Sequence, residues 1–95
     1  MDRHETKARV DAQIDEWKTN LDTMRAKAGA ATGQAKADYQ SKVEQLQKQF
    51  DEIKIKAAKT WDEADESWDS TRKDLELTLA EWEVRAKQAW RDLTK

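Results

Sequence analysis

The stretch that decides the fold covers residues 61–93 and reads WDEADESWDSTRKDLELTLAEWEVRAKQAWRDL. Large apolar side chains recur in it every seven residues, at Trp61, Trp68, Leu75 and Trp82. Seven residues are close to two turns of an α-helix, so these side chains lie along one side of it. Charged residues fill most of the positions between them, which indicates a helix that buries one face against another helix.

The same spacing extends toward the N-terminus, so that one apolar stripe runs from Val10 to Leu93. It advances in 23 steps of three or four residues over 83 positions, a mean of about 3.6, which is the α-helical period. The stripe predicts an all-α protein: a long-helix coiled coil, an antiparallel helical hairpin or a three-helix bundle, with residues 1–95 in a single helical coiled-coil domain. Its members are Val10, Ile14, Trp17, Leu21, Met24, Ala28, Ala31, Ala35, Tyr39, Val43, Leu46, Phe50, Ile53, Ala57, Trp61, Ala64, Trp68, Thr71, Leu75, Leu79, Trp82, Ala86, Ala89 and Leu93.

The stripe passes through two places where the chain carries signals for a turn. Gly29 and Gly33 are the only glycines, and glycine readily ends a helix. A stretch of Ala and Gly is also typical of a close helix–helix contact, which would keep the helix continuous there. The second place is residues 60–63, where Thr60 followed by Glu63 has the form of a capping box at the start of a helix.

The number of turns decides the architecture. With both turns, the chain forms an antiparallel three-helix bundle with helices over about 4–28, 34–59 and 61–94. With one turn, it forms a helical hairpin of unequal arms, and the surplus arm needs a partner molecule to cover its stripe.

Charged residues make up 40% of the chain and are distributed unevenly along it. Residues 1–60 carry 12 basic and 10 acidic side chains, whereas residues 61–95 carry 6 basic and 10 acidic ones. Many acidic residues precede a base by four positions, a favourable spacing on a helix, so we expect a solvated face with ion pairs along it. These pairs are Glu5–Arg9, Asp38–Lys42, Glu44–Lys48, Glu52–Lys56, Asp69–Lys73, Glu81–Arg85 and Glu83–Lys87.

Few residues are suited to catalysis or metal binding. The chain has no cysteine, and its single histidine, His4, lies near its start. The acidic residues from Asp62 to Asp69 lie opposite Trp61 and Trp68 on a helix, which is typical of a solvated face rather than a calcium or magnesium site. We therefore expect no enzyme activity, no metal, no cofactor and no small-molecule substrate.

Charge and hydropathy also restrict the partners and the location. Three lysines within residues 54–59 form a modest basic cluster, but Asp51 and Glu52 adjoin it, so nucleic-acid binding is not expected. Charged residues follow Met1 where the apolar segment of a signal peptide would lie, and no run reaches the roughly 20 apolar residues of a membrane span. These features predict a soluble cytoplasmic protein.

Five tryptophans are the least ordinary feature of the composition. The simplest interpretation is core packing, with each indole N–H at the rim of the core. The alternative is an amphipathic segment for a membrane surface or a partner groove, because Leu77, Val84 and Trp90 broaden the apolar face of the last helix. The predicted packing or interaction anchors are Trp17, Trp61, Trp68, Leu75, Trp82 and Trp90.

Several segments of the stripe carry a family resemblance: Ala12-Gln-Ile-Asp-Glu-Trp17, Leu21–Met24, Ala26-Lys-Ala28, Ala35-Lys-Ala-Asp-Tyr39, Val43-Glu-Gln-Leu46 and the Trp61…Trp68 pair. Together they resemble a widespread bacterial family of small coiled-coil stress-response proteins, also described in cyanobacteria. The resemblance covers roughly residues 5–93 and is most specific in the placement of the tryptophans. It implies a helical bacterial protein induced under stress, with no catalytic or cofactor residues. Gly29 and Gly33 depart from the family pattern, which is expected to have alanine and charged residues there.

These features predict a non-enzymatic coiled-coil protein that acts by helix–helix association, with a second copy of itself or with another helical protein. The alternative is a peripheral lipid-surface binder that opens its bundle and lays the face of residues 61–93 on a membrane. A third class, a nucleic-acid-compacting protein, predicts binding that weakens steeply with salt.

Overall fold

A computed structural model describes residues 3–93 and consists of three α-helices, α1 (Arg3–Ala30), α2 (Gly33–Trp61) and α3 (Asp65–Leu93). The all-α fold class predicted from the apolar stripe is therefore confirmed, and the architecture is the three-helix bundle. The helices lie lengthwise in a body of 52 × 17 × 16 Å, and a single 29-residue helix accounts for about 43 Å of the long axis. α2 packs against both other helices more extensively than α1 and α3 pack against each other.

Two contacts between helix ends fix the directions of the helices. Arg3, where α1 begins, is paired with Asp65, where α3 begins, so α1 and α3 run in the same direction. The Tyr39 hydroxyl, early in α2, donates to the carbonyl oxygen of Asp92 at the end of α3 over 3.4 Å, so α2 runs antiparallel to α3.

The first turn depends on Gly33. Its φ of +63° lies in the left-handed region, and no other residue of the described range 3–93 has a positive φ. Glycine adopts that conformation without the steric penalty of a Cβ atom, which explains why α2 begins there. Gly29 lies inside α1, and a Cβ atom added at either glycine would meet nothing within 4 Å. The interpretation of this stretch as a close helix–helix contact is therefore wrong.

The second turn covers residues 62–64 and does not use the predicted capping box. Thr60 is fully buried, and its hydroxyl donates to the carbonyl oxygen of Lys56 over 2.8 Å, one turn back in α2. The backbone N–H of Asp62 closes the end of α2 on the carbonyl oxygen of Lys59 over 3.2 Å. The backbone N–H of Glu63, which a capping box would bond to the Thr60 hydroxyl, instead donates to the Thr60 carbonyl oxygen over 3.2 Å, and α3 starts at Asp65.

The core consists of the apolar stripe. Its buried apolar members come from all three helices and form one continuous cluster. Ala35 and Ala64 belong to the stripe but are exposed at the ends of the bundle, because Ala35 lies just after the first turn and Ala64 lies within the second. The buried residues are Val10, Trp17, Leu21, Met24, Ala28, Val43, Leu46, Phe50, Ile53, Ala57, Leu75, Leu79, Trp82, Ala86 and Ala89.

Ion pairs between helices replace several of the pairs predicted along single helices. Arg9 binds Glu76 over 2.9 Å, Lys42 binds Asp92 over 3.5 Å, and Lys56 binds Asp74. Each base was predicted to pair with an acid four residues earlier on its own helix, and each instead reaches an acid on α3. Of the predicted pairs, Asp69–Lys73 forms along a single helix, at 3.2 Å.

Candidate functional site

The centre of the bundle is an aromatic layer that draws one side chain from each helix. Trp17 of α1 meets Trp82 of α3 edge to face, with ring centroids 5.1 Å apart and planes at 85°. Phe50 of α2 packs on the other side of Trp82 at the same distance. The indole N–H of Trp82 donates to the carbonyl oxygen of Leu46 over 3.1 Å, and its side chain is only 2% exposed. This tryptophan is a core residue with its one polar atom satisfied.

A second aromatic cluster covers the end of the bundle where α1 begins. Trp61 and Trp68 are half-buried, with ring centroids 5.9 Å apart. The guanidinium carbon of Arg3 lies 4.4 Å from the centre of the Trp68 ring, a cation–π geometry. The same guanidinium donates to the carbonyl oxygen of Glu63 over 2.9 Å and to Asp65 over 2.8 Å. Arg3 therefore ties the start of α1 to the turn between α2 and α3.

The structure places the predicted anchors at three depths. Leu75 is fully buried, and Trp17 and Trp82 are almost completely buried. Trp61 and Trp90 are half-buried and pack against the core cluster, while Trp68 packs on Trp61 and under Arg3. The heptad tryptophans and Leu75 thus face into the bundle, and a ligand reaches the most buried of them only if the helices separate.

Leu77 and Val84 do not broaden this inner face, which corrects the interpretation of them as part of it. They lie two residues after Leu75 and Trp82, a rotation of about 200° on a helix, so they point away from the core. Their side chains are 59% and 67% exposed. With Ile55, which is 59% exposed on α2, they are the large apolar side chains exposed within residues 3–93.

These two residues belong to a second heptad series on α3, which we call the α3 outer face. Its members follow one another at alternating steps of four and three residues, and every one is exposed. The spacing is that of a heptad, and the apolar part of the series is the three consecutive members Leu77, Ala80 and Val84, about two turns of helix. The α3 outer face consists of Glu66, Ser70, Lys73, Leu77, Ala80, Val84, Lys87 and Arg91.

The charged members of the α3 outer face are one acid, Glu66, and three bases, Lys73, Lys87 and Arg91. The face begins with Glu66 next to the exposed carboxylate of Asp69, and it ends with Lys87 and Arg91. The guanidinium of Arg72 binds Asp69, and the ammonium of Lys73 lies 3.2 Å from it, so both hold the pKa of Asp69 below its ordinary value of 3.8. Asp69 also raises the pKa of Arg72.

Most hollows on the surface are open grooves between helices, and one is lined by α3 alone, at Val84, Lys87, Gln88 and Arg91. Two lie end to end between α2 and α3, with volumes of about 270 and 330 Å³. Both charge signs line them, from Lys42 and Arg85 to Glu52 and Glu81. Within residues 3–93, no group of three or more His, Cys, Asp or Glu side chains is arranged to hold a metal ion.

No family profile, curated protein or solved structure matches this chain. The resemblance to bacterial stress-response proteins therefore stays a prediction. None of the helices within the described range is long and apolar enough to cross a membrane. The sequence contained one signal for the α3 outer face. Leu77 and Val84 are seven residues apart, and each lies two positions after a residue of the stripe.

Proposed function

We propose that this protein is a non-enzymatic interaction protein that acts by helix–helix association through the α3 outer face. The observation that supports this best is the exposure of Leu77 and Val84 on a helix whose other side packs against the core. Because the tryptophan face is already satisfied inside one chain, association does not need to open the bundle. The surface that remains apolar is the one on the far side of α3.

The size of this surface predicts weak and reversible association. Burying Leu77 and Val84 stabilises a complex by about 1.5–3 kcal/mol for each side chain at full burial. Association costs at least about 4 kcal/mol in lost translational and rotational freedom, which offsets much of that gain. The net free energy corresponds to a complex that forms at high local concentration and dissociates on dilution.

Light-scattering mass over a concentration series tests the proposal. We expect the wild-type mass to rise above 11.1 kDa with concentration, and a Leu77→Glu/Val84→Glu variant to keep the monomer mass. Ile55→Glu is the matched control, because Ile55 is exposed to the same extent on α2 and lies outside the α3 outer face. A wild type that keeps the monomer mass at every concentration contradicts the proposal, as does equal loss of association in the control.

A peripheral lipid-surface binder is the second candidate, and the basic residues around the apolar pair favour it. Lys73, Lys87 and Arg91 lie on the same side of α3 as Leu77 and Val84, as on helices that bind anionic membranes. A binder that lays the tryptophan face of residues 61–93 on a membrane would have to open the bundle and break the aromatic layer. The α3 outer face can meet a membrane without that opening. Flotation with anionic vesicles tests it: recovery of protein with the lipid, dependent on these residues, would replace helix association as the leading function.

We also infer a cytoplasmic role in a bacterial stress response, and the family resemblance supports this inference. Cell fractionation and protein abundance before and after osmotic or oxidative stress test it. We expect the protein in the cytoplasmic fraction and an increase under stress, and unchanged abundance under every stress would contradict the inference.

A further inference from the structure

We propose that the partner of the α3 outer face is the same face of a second copy, with the two α3 helices antiparallel. This inference rests on the proposed function, since it requires that the outer face associates. The face lies on the far side of α3 from the core, so α1 and α2 do not cover it and two bundles can approach. A surface that pairs with itself around a two-fold axis forms a closed dimer.

The direction of pairing follows from the charges of the face. In a parallel pair each residue faces the same residue of the second copy. Like charges therefore face one another at Glu66, Lys73, Lys87 and Arg91. Like charges placed opposite one another destabilise a helix pair. An antiparallel pair places the acidic beginning of each α3 against the basic end of the other. Charge complementarity therefore selects the antiparallel arrangement.

One antiparallel register makes every layer of the face compatible. When Leu77 faces Ala80 of the second copy, a large side chain meets a small one. The next layer outward pairs Lys73 with Val84, and the aliphatic stem of Lys73 covers the valine side chain. The outermost layer joins opposite charges, and a shift of one heptad in one direction would instead place Lys73 against Arg91. The four layers are Leu77–Ala80, Lys73–Val84, Ser70–Lys87 and Glu66–Arg91, and each occurs twice by symmetry.

The dimensions of the face agree with a weak dimer. From Glu66 to Arg91 it is about 38 Å long, and a helix presents a strip about 10 Å wide. Each copy thus buries on the order of 400 Å², which totals less than the roughly 1,200 Å² of small specific interfaces. The pairing is therefore of the transient class.

Cysteine crosslinking tests the direction directly, because the chain has no cysteine of its own. Two single variants are prepared, Ser70→Cys and Lys87→Cys, and each is treated with a short bis-maleimide alone and in an equal mixture. In the antiparallel register, residues 70 and 87 of different copies are neighbours, whereas the two equivalents of each are about 26 Å apart. We expect crosslinked dimer in the mixture and little in either variant alone. Crosslinking in each variant alone and not in the mixture would indicate a parallel pair and overturn the inference.

A charge exchange tests the register at a site remote from the apolar pair. Glu66→Lys and Arg91→Glu should each raise the dissociation constant of the dimer by about threefold to tenfold at low salt. The double variant restores opposite charges in both outer layers, so its dissociation constant should return toward that of the wild type. Failure of the double variant to recover, with both singles folded by circular dichroism, would overturn the register.

The outcomes separate this inference from the proposed function. If the wild type associates through Leu77 and Val84 but the variants crosslink in the parallel pattern, the proposed function stands and the inference is overturned. A wild type that stays monomeric at every concentration removes both. Crosslinking of an Ile55→Cys control alone, to the same extent as the mixture, would indicate random collision and also overturn the inference.

Discussion

The indole N–H of Trp82 donates to the backbone carbonyl oxygen of Leu46, 3.1 Å away across the interface of α2 and α3. This bond fixes the orientation of the ring that Trp17 meets edge to face. A buried aromatic with a polar atom is stable when that atom finds a partner, and here the partner is backbone. The hydrogen bond therefore ties the register of α2 and α3 to the central layer.

Replacement of Trp82 by phenylalanine removes this bond and part of the ring volume while keeping an aromatic side chain. We expect the free energy of unfolding to fall by about 2–3 kcal/mol, of which about 1 kcal/mol is the hydrogen bond and the rest is the cavity. Urea denaturation followed by circular dichroism measures this. Trp61→Phe is the control at a half-buried site and should cost less than half as much. Equal losses at the two sites would contradict the assignment of Trp82 to the central layer.

The two glycines should respond in opposite directions to the same substitution. Gly29→Ala adds a methyl group in open space inside α1, so stability should rise by up to about 1 kcal/mol. Gly33→Ala forces alanine into the left-handed region at the start of α2, so stability should fall by about 1–2 kcal/mol. The difference in urea midpoint between the two variants measures both effects. A rise in both would show that the chain does not turn at Gly33.

The carboxylate of Asp69 should make stability depend on pH in the acid range. Its bonds to Arg72 and Lys73 lower its pKa in the folded protein below the unfolded value, so they favour the charged form. That contribution is present above the unfolded pKa and is lost as the pH falls through the folded pKa. Asp69→Asn should therefore lower the melting temperature by more at pH 7 than at pH 2. A deficit of equal size at both values would indicate a cause other than charge.

The guanidinium of Arg3 should hold the first turn of α1 in place. Arg3→Lys keeps the charge but cannot donate to Glu63 and Asp65 while lying flat on Trp68, so the turn should fray. Hydrogen exchange of the first bonded amides of α1, those of residues 7–9, should accelerate severalfold, with no change in the central layer. Arg9→Lys, at an ion pair farther along α1, is the control. Unchanged exchange in the first turn would show that the contacts of Arg3 contribute nothing there.

The period of the stripe was sufficient to predict the helical fold and the composition of its core. Every buried apolar residue, from Val10 to Ala89, was a member of that stripe. Periodicity succeeds here because a long helix buries whatever recurs on one side of it. The turn at Gly33 required glycine for its backbone conformation, and that signal was present in the sequence as well.

Other features depend on contacts that a single sequence does not specify. A threonine hydroxyl can cap a following helix or bond back to the preceding turn. Thr60 is buried against the core, and its hydroxyl bonds back to Lys56. Long bases such as Arg9 and Lys56 reach several acids, and their partners are known only once the register of the helices is known. Leu77 is different: its position two residues after Leu75 already placed it on the opposite side of the helix, and the interpretation of it as part of the inner face overlooked that spacing.

Four ion pairs between helices join α3 to the rest of the bundle within residues 3–93, and these four have the same polarity. Arg3, Arg9, Lys42 and Lys56 provide the bases, and α3 provides every acid that they bind. Cleavage of the turn at residues 62–64 would leave an α-helical hairpin with an excess of positive charge and a single helix with an excess of negative charge. The bundle thus resembles a heterodimer joined by a short linker. Because the two fragments carry opposite charges, we expect each to bind the other in preference to a second copy of itself, so the protein is suited to fragment complementation.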